Sequence, residues 1–266
     1  MPYIGQAPAP KVITSSDLSA DVVTEAKIAD NAVENEHLNA NVITGHTALG
    51  ATPADTDELL VSDAGTLKRV DFSYLKGGGA FEKLVTTTIS TSTSSVEFNN
   101  TYLTSTYRDY RVIITGLEPS ADNQQLALQI SSNNGSSFDT SSNYNQNAFG
   151  GRSSQSTSDS PTGRNFQDGD KFLIAGKNES NGSGTGEHSH YHIDFFDPLN
   201  QNSDNQFFTV MWSCLILDND SKVVRGVGAG VFDDAGSESK VVNAIKLFMG
   251  SGTIDKGSFT LYGRKI

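Results

Sequence analysis

Three histidines at alternate positions form the strongest group of metal-ligating side chains in the sequence: His188, His190 and His192. Side chains at alternate positions of a β-strand lie on one face. A strand here would place the three imidazoles with Asp194, and Tyr191 on the opposite face, which is the natural core side. Imidazole is a common ligand of transition metals, and a symmetric assembly could bring six imidazoles together at its axis. The alternative is a polar strand face, exposed or in contact with another chain, that binds no metal.

Acidic residues at two predicted turns supply the oxygen atoms that calcium prefers, Asp218-Asn219-Asp220 and Asp233-Asp234. Turns also favour Asp and Asn for backbone reasons, so both interpretations stay open. Signals of catalysis are weak. The carboxylates of Asp194 and Asp197 could serve a glycosidase, but no G-x-S-x-G or H-E-x-x-H motif occurs, and no acidic pair belongs to a recognisable cleft. We therefore expect no enzymatic activity and no required cofactor.

A long tract rich in Ser, Asn and Gly runs from Ser131 to Gly169 and is interrupted by aromatic residues, among them Tyr144, Phe149 and Phe166. Its composition predicts extended surface loops. Aromatic rings can stack on sugar faces while neighbouring Asn and Asp side chains bond the hydroxyl groups, so these three residues are candidates for ligand binding. The alternative is that the rings plug the ends of a β-sandwich.

The composition divides the chain into two unequal parts. Hydrophobic residues make up 36% of the chain, and only three of its 23 aromatic residues lie in residues 1–80. The first 80 residues therefore cannot bury a core alone and need a partner. The net charge of −12 disfavours nucleic acid and anionic membranes, and no apolar run is long enough to span a bilayer. No signal peptide is visible, and the single cysteine, Cys214, excludes an internal disulfide.

An aliphatic residue recurs every five positions near the start of the chain. Five residues turn an α-helix by roughly 500°, so these positions form no helical stripe, and they do not fit coiled-coil heptads. We predict a winding fibre segment with one inward anchor per pentad, in which Ser16 and Thr24 cap short helical turns. A disordered tail is the alternative. The anchors, expected at a trimer interface, are Leu18, Val23, Ile28, Val33, Leu38 and Ile43.

Residues 55–75 predict a β-hairpin that turns at Asp63-Ala64-Gly65, where Gly65 can take a positive φ. Two strands are marginal alone, so we expect the hairpin to pair across copies, with Leu59 and Val61 at the interface. Three consecutive glycines, residues 77–79, then predict a flexible linker and a domain boundary.

Residues 81–266 show short stretches of alternating hydrophobicity between turn signals, which predicts an antiparallel β-sandwich or jelly roll. Trp212 falls on the apolar face of its strand, so we expect it in the core. The predicted strands lie near Phe81–Ile89, Val96–Asn99, Tyr107–Thr115, Gln125–Ser131, Lys171–Lys177, His188–Asp197, Gln206–Leu217, Val223–Phe232, Val242–Met249 and Ser258–Ile266.

Several segments resemble parts of bacteriophage tail fibres and adhesins. Residues 27–33 (KIADNAV) resemble decapeptide-type shaft repeats, and residues 57–68 (DELLVSDAGTLK) resemble an element between shaft and head. Residues 107–116 (YRDYRVIITG) and 252–265 (GTIDKGSFTLYGRK) are similar to a core strand and the closing hairpin of an adhesin β-sandwich. The opening residues 2–5 (PYIG) resemble the start of some marine-phage virion proteins. The resemblance implies a homotrimer with its N-terminus on the particle and its sandwich facing the host, and it supplies no catalytic residues.

These observations predict a mainly β protein with five parts. They are a particle-attachment segment (1–14), a pentad-repeat shaft (15–47), a β-hairpin trimerisation connector (48–76), a glycine linker (77–80) and a β-sandwich head (81–266). We expect a structural virion fibre, made in the host cytoplasm, that binds other virion proteins and a host surface glycan or protein. The alternative is a capsid-decorating head fibre or a tail adaptor with a purely structural role.

Overall fold

The computed structural model describes residues 11–20, 22–29, 32–33, 37–75, 81–152, 162–175, 180–201, 207–218, 220–233 and 240–264, with only the backbone at Glu25 and at 162–168. The chain forms two compact units, Met1–Lys76 and Gly77–Ile266. Its sheets are antiparallel and the chain is mainly β, which confirms the predicted fold class at that level. The predicted glycine linker (77–80) and most of the attachment segment (1–14) lie outside the described residues.

The N-terminal unit contains short helical turns. Two 3-10 turns, Ser15–Asp17 and Glu25–Lys27, lie ten residues apart, which is twice the aliphatic period, and helix α1 (Asn41–Thr44) follows. Thr14, not Ser16, is the N-cap of the first turn, and the carboxylate of Asp17 accepts the Thr14 backbone N–H at 3.0 Å. The prediction of Ser16 as the cap was wrong because Thr14, Ser15 and Ser16 are consecutive, and both residue types are good N-caps.

The predicted hairpin is present as β1 (Glu58–Asp63) and β2 (Thr66–Asp71), and helix α2 (Phe72–Leu75) follows it. Both residues of the two-residue turn have positive φ, 49° at Ala64 and 83° at Gly65. The twist of such a turn matches the twist of paired strands. Glycine accepts this conformation without cost, whereas Ala64 adopts it against the steric preference of its Cβ.

The C-terminal unit is a sandwich of two unequal antiparallel sheets. The larger has the order β3-β14-β5-β10-β11-β12-β7-β8, and the smaller has the order β4-β13-β6-β9. The strands are β3 (Glu82–Ile89), β4 (Ser95–Phe98), β5 (Asp109–Pro119), β6 (Leu126–Ser131), β7 (Tyr144–Arg152), β8 (Thr162–Gly169), β9 (Phe172–Leu173), β10 (Ser189–Phe196), β11 (Phe208–Leu217), β12 (Val223–Phe232), β13 (Ala244–Met249) and β14 (Ile254–Arg264).

The prediction of surface loops across residues 131–169 is confirmed for residues 132–143, but it is wrong for the part that forms β7 and β8. Three alternate residues of β7, Tyr144, Gln146 and Ala148, are buried. The side-chain amide of Gln146 takes the place of a strand partner for Leu173 of β9. It accepts the backbone N–H of Leu173 at 2.7 Å and donates to the carbonyl of Leu173 at 3.1 Å. A polar residue satisfied in this way can occupy a core position, so composition alone misjudged the segment.

The core lies between the two sheets, and β12 contributes Val224 and Phe232 near its ends but no side chain in its middle. Its inward positions Gly228 and Gly230 leave space for the rings of Trp212 and Phe172. Trp212 is buried as predicted, and its indole N–H donates to the carbonyl of Ala175 at 3.0 Å. This bond satisfies the polar group of a large buried ring and fixes its orientation.

Candidate functional site

The surface that stands out is the side of the eight-stranded sheet that faces away from the four-stranded sheet. We call the outward side chains of β7, β10, β11 and β12 the outer face. Along β11 alternate residues are buried, and the intervening ones point outward. The outer face exposes six large apolar side chains in one chain, which are Phe149, Phe196, Met211, Leu215, Val223 and Val227.

The strand registers arrange the outer face as five rows of directly opposed residues. One central row runs His192, Ser213, Val227 and Phe149, and the next runs Asp194, Met211, Ala229 and Asn147. The others run Phe196, Thr209, Val231 and Asn145, then His190, Leu215, Arg225 and Gly151, and finally Leu217 and Val223. The middle of this lattice is apolar, and most of the polar groups lie on its outer strands.

Two shallow grooves cross the outer face, in addition to a smaller one between Phe149 and Arg225. One, of about 660 Å³, lies between Phe196, Met211, Val231 and Asn145. The other, of about 520 Å³, lies between His192, Phe149 and Val227, with Arg111 of β5 at its side. Grooves of this size are large enough to receive side chains or a small ligand.

An ion pair fixes the polar border of the outer face. Arg111 donates to both carboxylate oxygens of Asp194, at 2.6 and 2.9 Å, and the guanidinium lies 4.5 Å from the ring centre of Phe81. Hydrogen bonding to Asp194 raises the pKa of Arg111, against a smaller opposing effect of burial. The two charges compensate each other, and the paired hydrogen bonds fix the orientation of both side chains.

The alternation predicted for the histidine strand is present, but the histidine side chains do not form a cluster. His190 and His192 are exposed on β10 while Tyr191 is buried, as the alternation predicted. The Nδ1 atom of His188 lies 3.6 Å from a carboxylate oxygen of Glu118, and His190 accepts the backbone N–H of Gly116 at 3.4 Å. Within the described residues of one chain, no three His, Cys, Asp or Glu side chains converge on a possible metal position. A metal shared between copies stays a prediction.

The three aromatic candidates separate. Tyr144 is fully buried, donates its hydroxyl to the carbonyl of Asp139 at 2.8 Å, and makes edge contacts with Phe172 and Phe232. Its proposed role in stacking on a ligand is therefore wrong. Phe149 is 48% exposed and lies on the outer face. The side chain of Phe166 lies outside the described part of the structure.

The acidic turn at 218–220 is an ion-paired structural turn. Arg152 bonds both Asp218 and Asp220, and Asp218 also accepts the backbone N–H groups of Asp220 and Lys222 at 3.0 and 2.8 Å. Burial raises the pKa of Asp218, but these hydrogen bonds lower it overall. Arg152 balances one of the two carboxylate charges of this turn and hydrogen-bonds to both side chains, so the turn is held by an ion pair without a metal. Asn219 and Asp234 of the calcium hypothesis lie outside the described residues.

Sequence reasoning found the β10 part of the outer face but missed its centre on β11 and β12. A signal was present, because residues 207–217 (FFTVMWSCLIL) are apolar at positions of both parities. A strand that needed to bury only one face would be polar on the other, so Met211 and Leu215 indicate a second apolar face.

Comparisons with protein-family models, curated proteins and solved structures find no match for this chain. Within the described ranges, the helices are all too short and insufficiently apolar to cross a bilayer.

Proposed function

We propose that the chain is a subunit of a homotrimeric virion fibre of the phage tail-fibre type. Its N-terminal segment attaches to the particle, and its C-terminal sandwich, the head, contacts the host surface, either a glycan or a protein. The role is structural and needs neither catalysis nor a cofactor.

The observation that carries this proposal is the exposure of the pentad anchors. All six are between 46% and 78% exposed within one chain. Leu59 of the hairpin is 43% exposed, while Val61 is half-buried. Fully burying an aliphatic side chain contributes about 1.5–3 kcal/mol, so each half-exposed anchor would gain roughly 1 kcal/mol on contact with another copy. The N-terminal unit thus carries evenly spaced aliphatic side chains that one chain does not bury, and the C-terminal unit has a core of its own. This combination favours a shaft of bundled chains that carries a head.

Labelling of the virus particles that encode the chain tests where it is attached. Gold on an affinity tag at the C-terminus should appear on the tail, at a distance from the tail surface, in electron micrographs. Label on the capsid would move the assignment to a capsid-decorating head fibre, and label at the junction of tail and capsid would indicate an adaptor.

Adsorption to host cells tests the attachment role. Particles that carry only residues 1–76 should keep the protein but lose adsorption, because the head is missing. The matched control is the full chain with Ala29→Ser, which keeps both units and is expected to adsorb normally. Normal adsorption by particles without the head would contradict the attachment role.

A further inference from the structure

The outer face has the anatomy of a protein interface. Its central positions, Met211, Val227 and Ala229, are apolar and exposed, and polar groups such as His192 and Asn147 surround them. An apolar centre with a polar rim distinguishes interfaces between proteins from ordinary surface. A contiguous apolar patch of this extent is often a functional surface.

The extent of the outer face matches an interface of ordinary size. Four strands at about 4.8 Å spacing and five rows at about 6.7 Å spacing cover roughly 20 Å by 30 Å. A standard interface buries about 800 Å² on each partner. The side chains that project from the outer face add to its flat area and bring its accessible surface to that scale.

The charge of the outer face selects the partner. The chain carries a net charge of −12, so two copies repel each other over most of their surface. In the five rows described above, the charged side chains are Asp194 and Arg225, one of each sign, which leaves no excess of negative charge. A sugar is a poorer occupant, because the central side chains offer its hydroxyl groups few donors or acceptors.

We propose that copies of this chain contact one another around a shared axis through the outer face of the head, with Met211 and Val227 near the centre of the contact. This inference rests on the proposed trimer and adds the surface that the heads use. It leaves the host-contact surface elsewhere on the head.

Protection of introduced thiols tests the proposal in the full chain. Ser213→Cys places a thiol in a central row, and Leu215→Cys places another one row away, both at exposed positions of one chain. The matched control is Glu97→Cys on β4, exposed on the opposite side of the sandwich. The native Cys214 is buried, so the unmodified chain supplies the background rate.

A bulky maleimide should label Ser213→Cys and Leu215→Cys roughly tenfold or more slowly than Glu97→Cys, because a neighbouring copy covers the first two. All three should react alike in urea. A trimeric protein whose Ser213→Cys and Leu215→Cys thiols react as fast as Glu97→Cys overturns this inference and leaves the trimer standing. Equal protection of all three also overturns the assignment to this face. A monomeric chain overturns the proposed function and the inference together.

Discussion

Replacing Gly228 with Ala tests whether the core requires an inward position without a side chain in the middle of β12. A Cβ at this position would lie 2.2 Å from Cζ2 and 2.4 Å from Cε2 of Trp212. The ring cannot easily move, since Trp212 is 3% exposed and its N–H is bonded to Ala175. The backbone of Gly228 is outside the left-handed region, so any loss of stability comes from the clash and not from φ.

The expected cost follows from overpacking. Extra atoms in a packed core cost about 1–3 kcal/mol, and Ala recovers about 0.5–1 kcal/mol by restricting the unfolded chain. The net loss in unfolding free energy should be about 1–2 kcal/mol, or roughly 2–4 °C in melting temperature per kcal/mol. Urea unfolding followed by fluorescence measures it, because Trp212 is the only tryptophan.

Two control variants isolate the clash. Ala229→Ser changes the next residue, whose side chain is on the outer face, and should alter stability by less than about 0.5 kcal/mol. Trp212→Phe removes the ring atoms nearest Gly228, so Gly228→Ala should cost less in that background, as measured by circular dichroism. If Gly228→Ala is as stable as wild type, or costs the same in both backgrounds, the packing explanation of β12 fails.

Three further predictions concern the turn, the shaft and an ion pair. Ala64→Asn should stabilise the hairpin by about 1 kcal/mol, because Asn accepts positive φ more readily, and should slow amide exchange there about fivefold. Ile28→Ala should remove about 2–5 kcal/mol per buried site in the trimer and expose residues 11–50 to protease, whereas Ala29→Ser should not. Burial raises the pKa of Asp139, but the 2.7 Å bond from Lys240 helps lower it overall. The stability this bond provides is therefore present above the unfolded pKa of about 4 and is lost as the pH falls below it, and Lys240→Met should reduce that loss in urea melts.

Each of these predictions has a contradicting result. Faster amide exchange in Ala64→Asn would mean that the turn differs from the one described. Equal digestion of wild type, Ile28→Ala and Ala29→Ser would mean that the pentads form a disordered tether. An unchanged acid dependence in Lys240→Met would mean that the ion pair with Asp139 contributes nothing to stability.

Strands with a regular period were predictable from the sequence, and a strand that uses polar core residues was not. The alternation in residues 207–217 gave β11 almost to its ends, and Asp63-Ala64-Gly65 gave the hairpin turn. In contrast, β7 was hidden because Gln146 and Gly150 occupy inward positions where an apolar side chain is expected. Only the neighbouring strand β9, which supplies the hydrogen-bond partners of Gln146, explains how that position is satisfied.

The outer face was predictable only in part, because it depends on pairings between distant segments. The spacing of His190, His192 and Asp194 identified one strand of it. The row that joins Ser213 to Val227 and Phe149 depends on the register of three strands that are far apart in sequence, which no local pattern specifies. Tyr144 shows the converse error, since an aromatic residue in a polar tract was assigned to the surface and proved to be core.

The central claim is that identical copies bury the aliphatic pentads, and the mass of the purified full chain tests it most directly. Light scattering at micromolar concentration should give three times the chain mass of 28.4 kDa. The trimer should persist on dilution, because both the shaft and the heads hold the copies together. A mass of one chain would contradict the account.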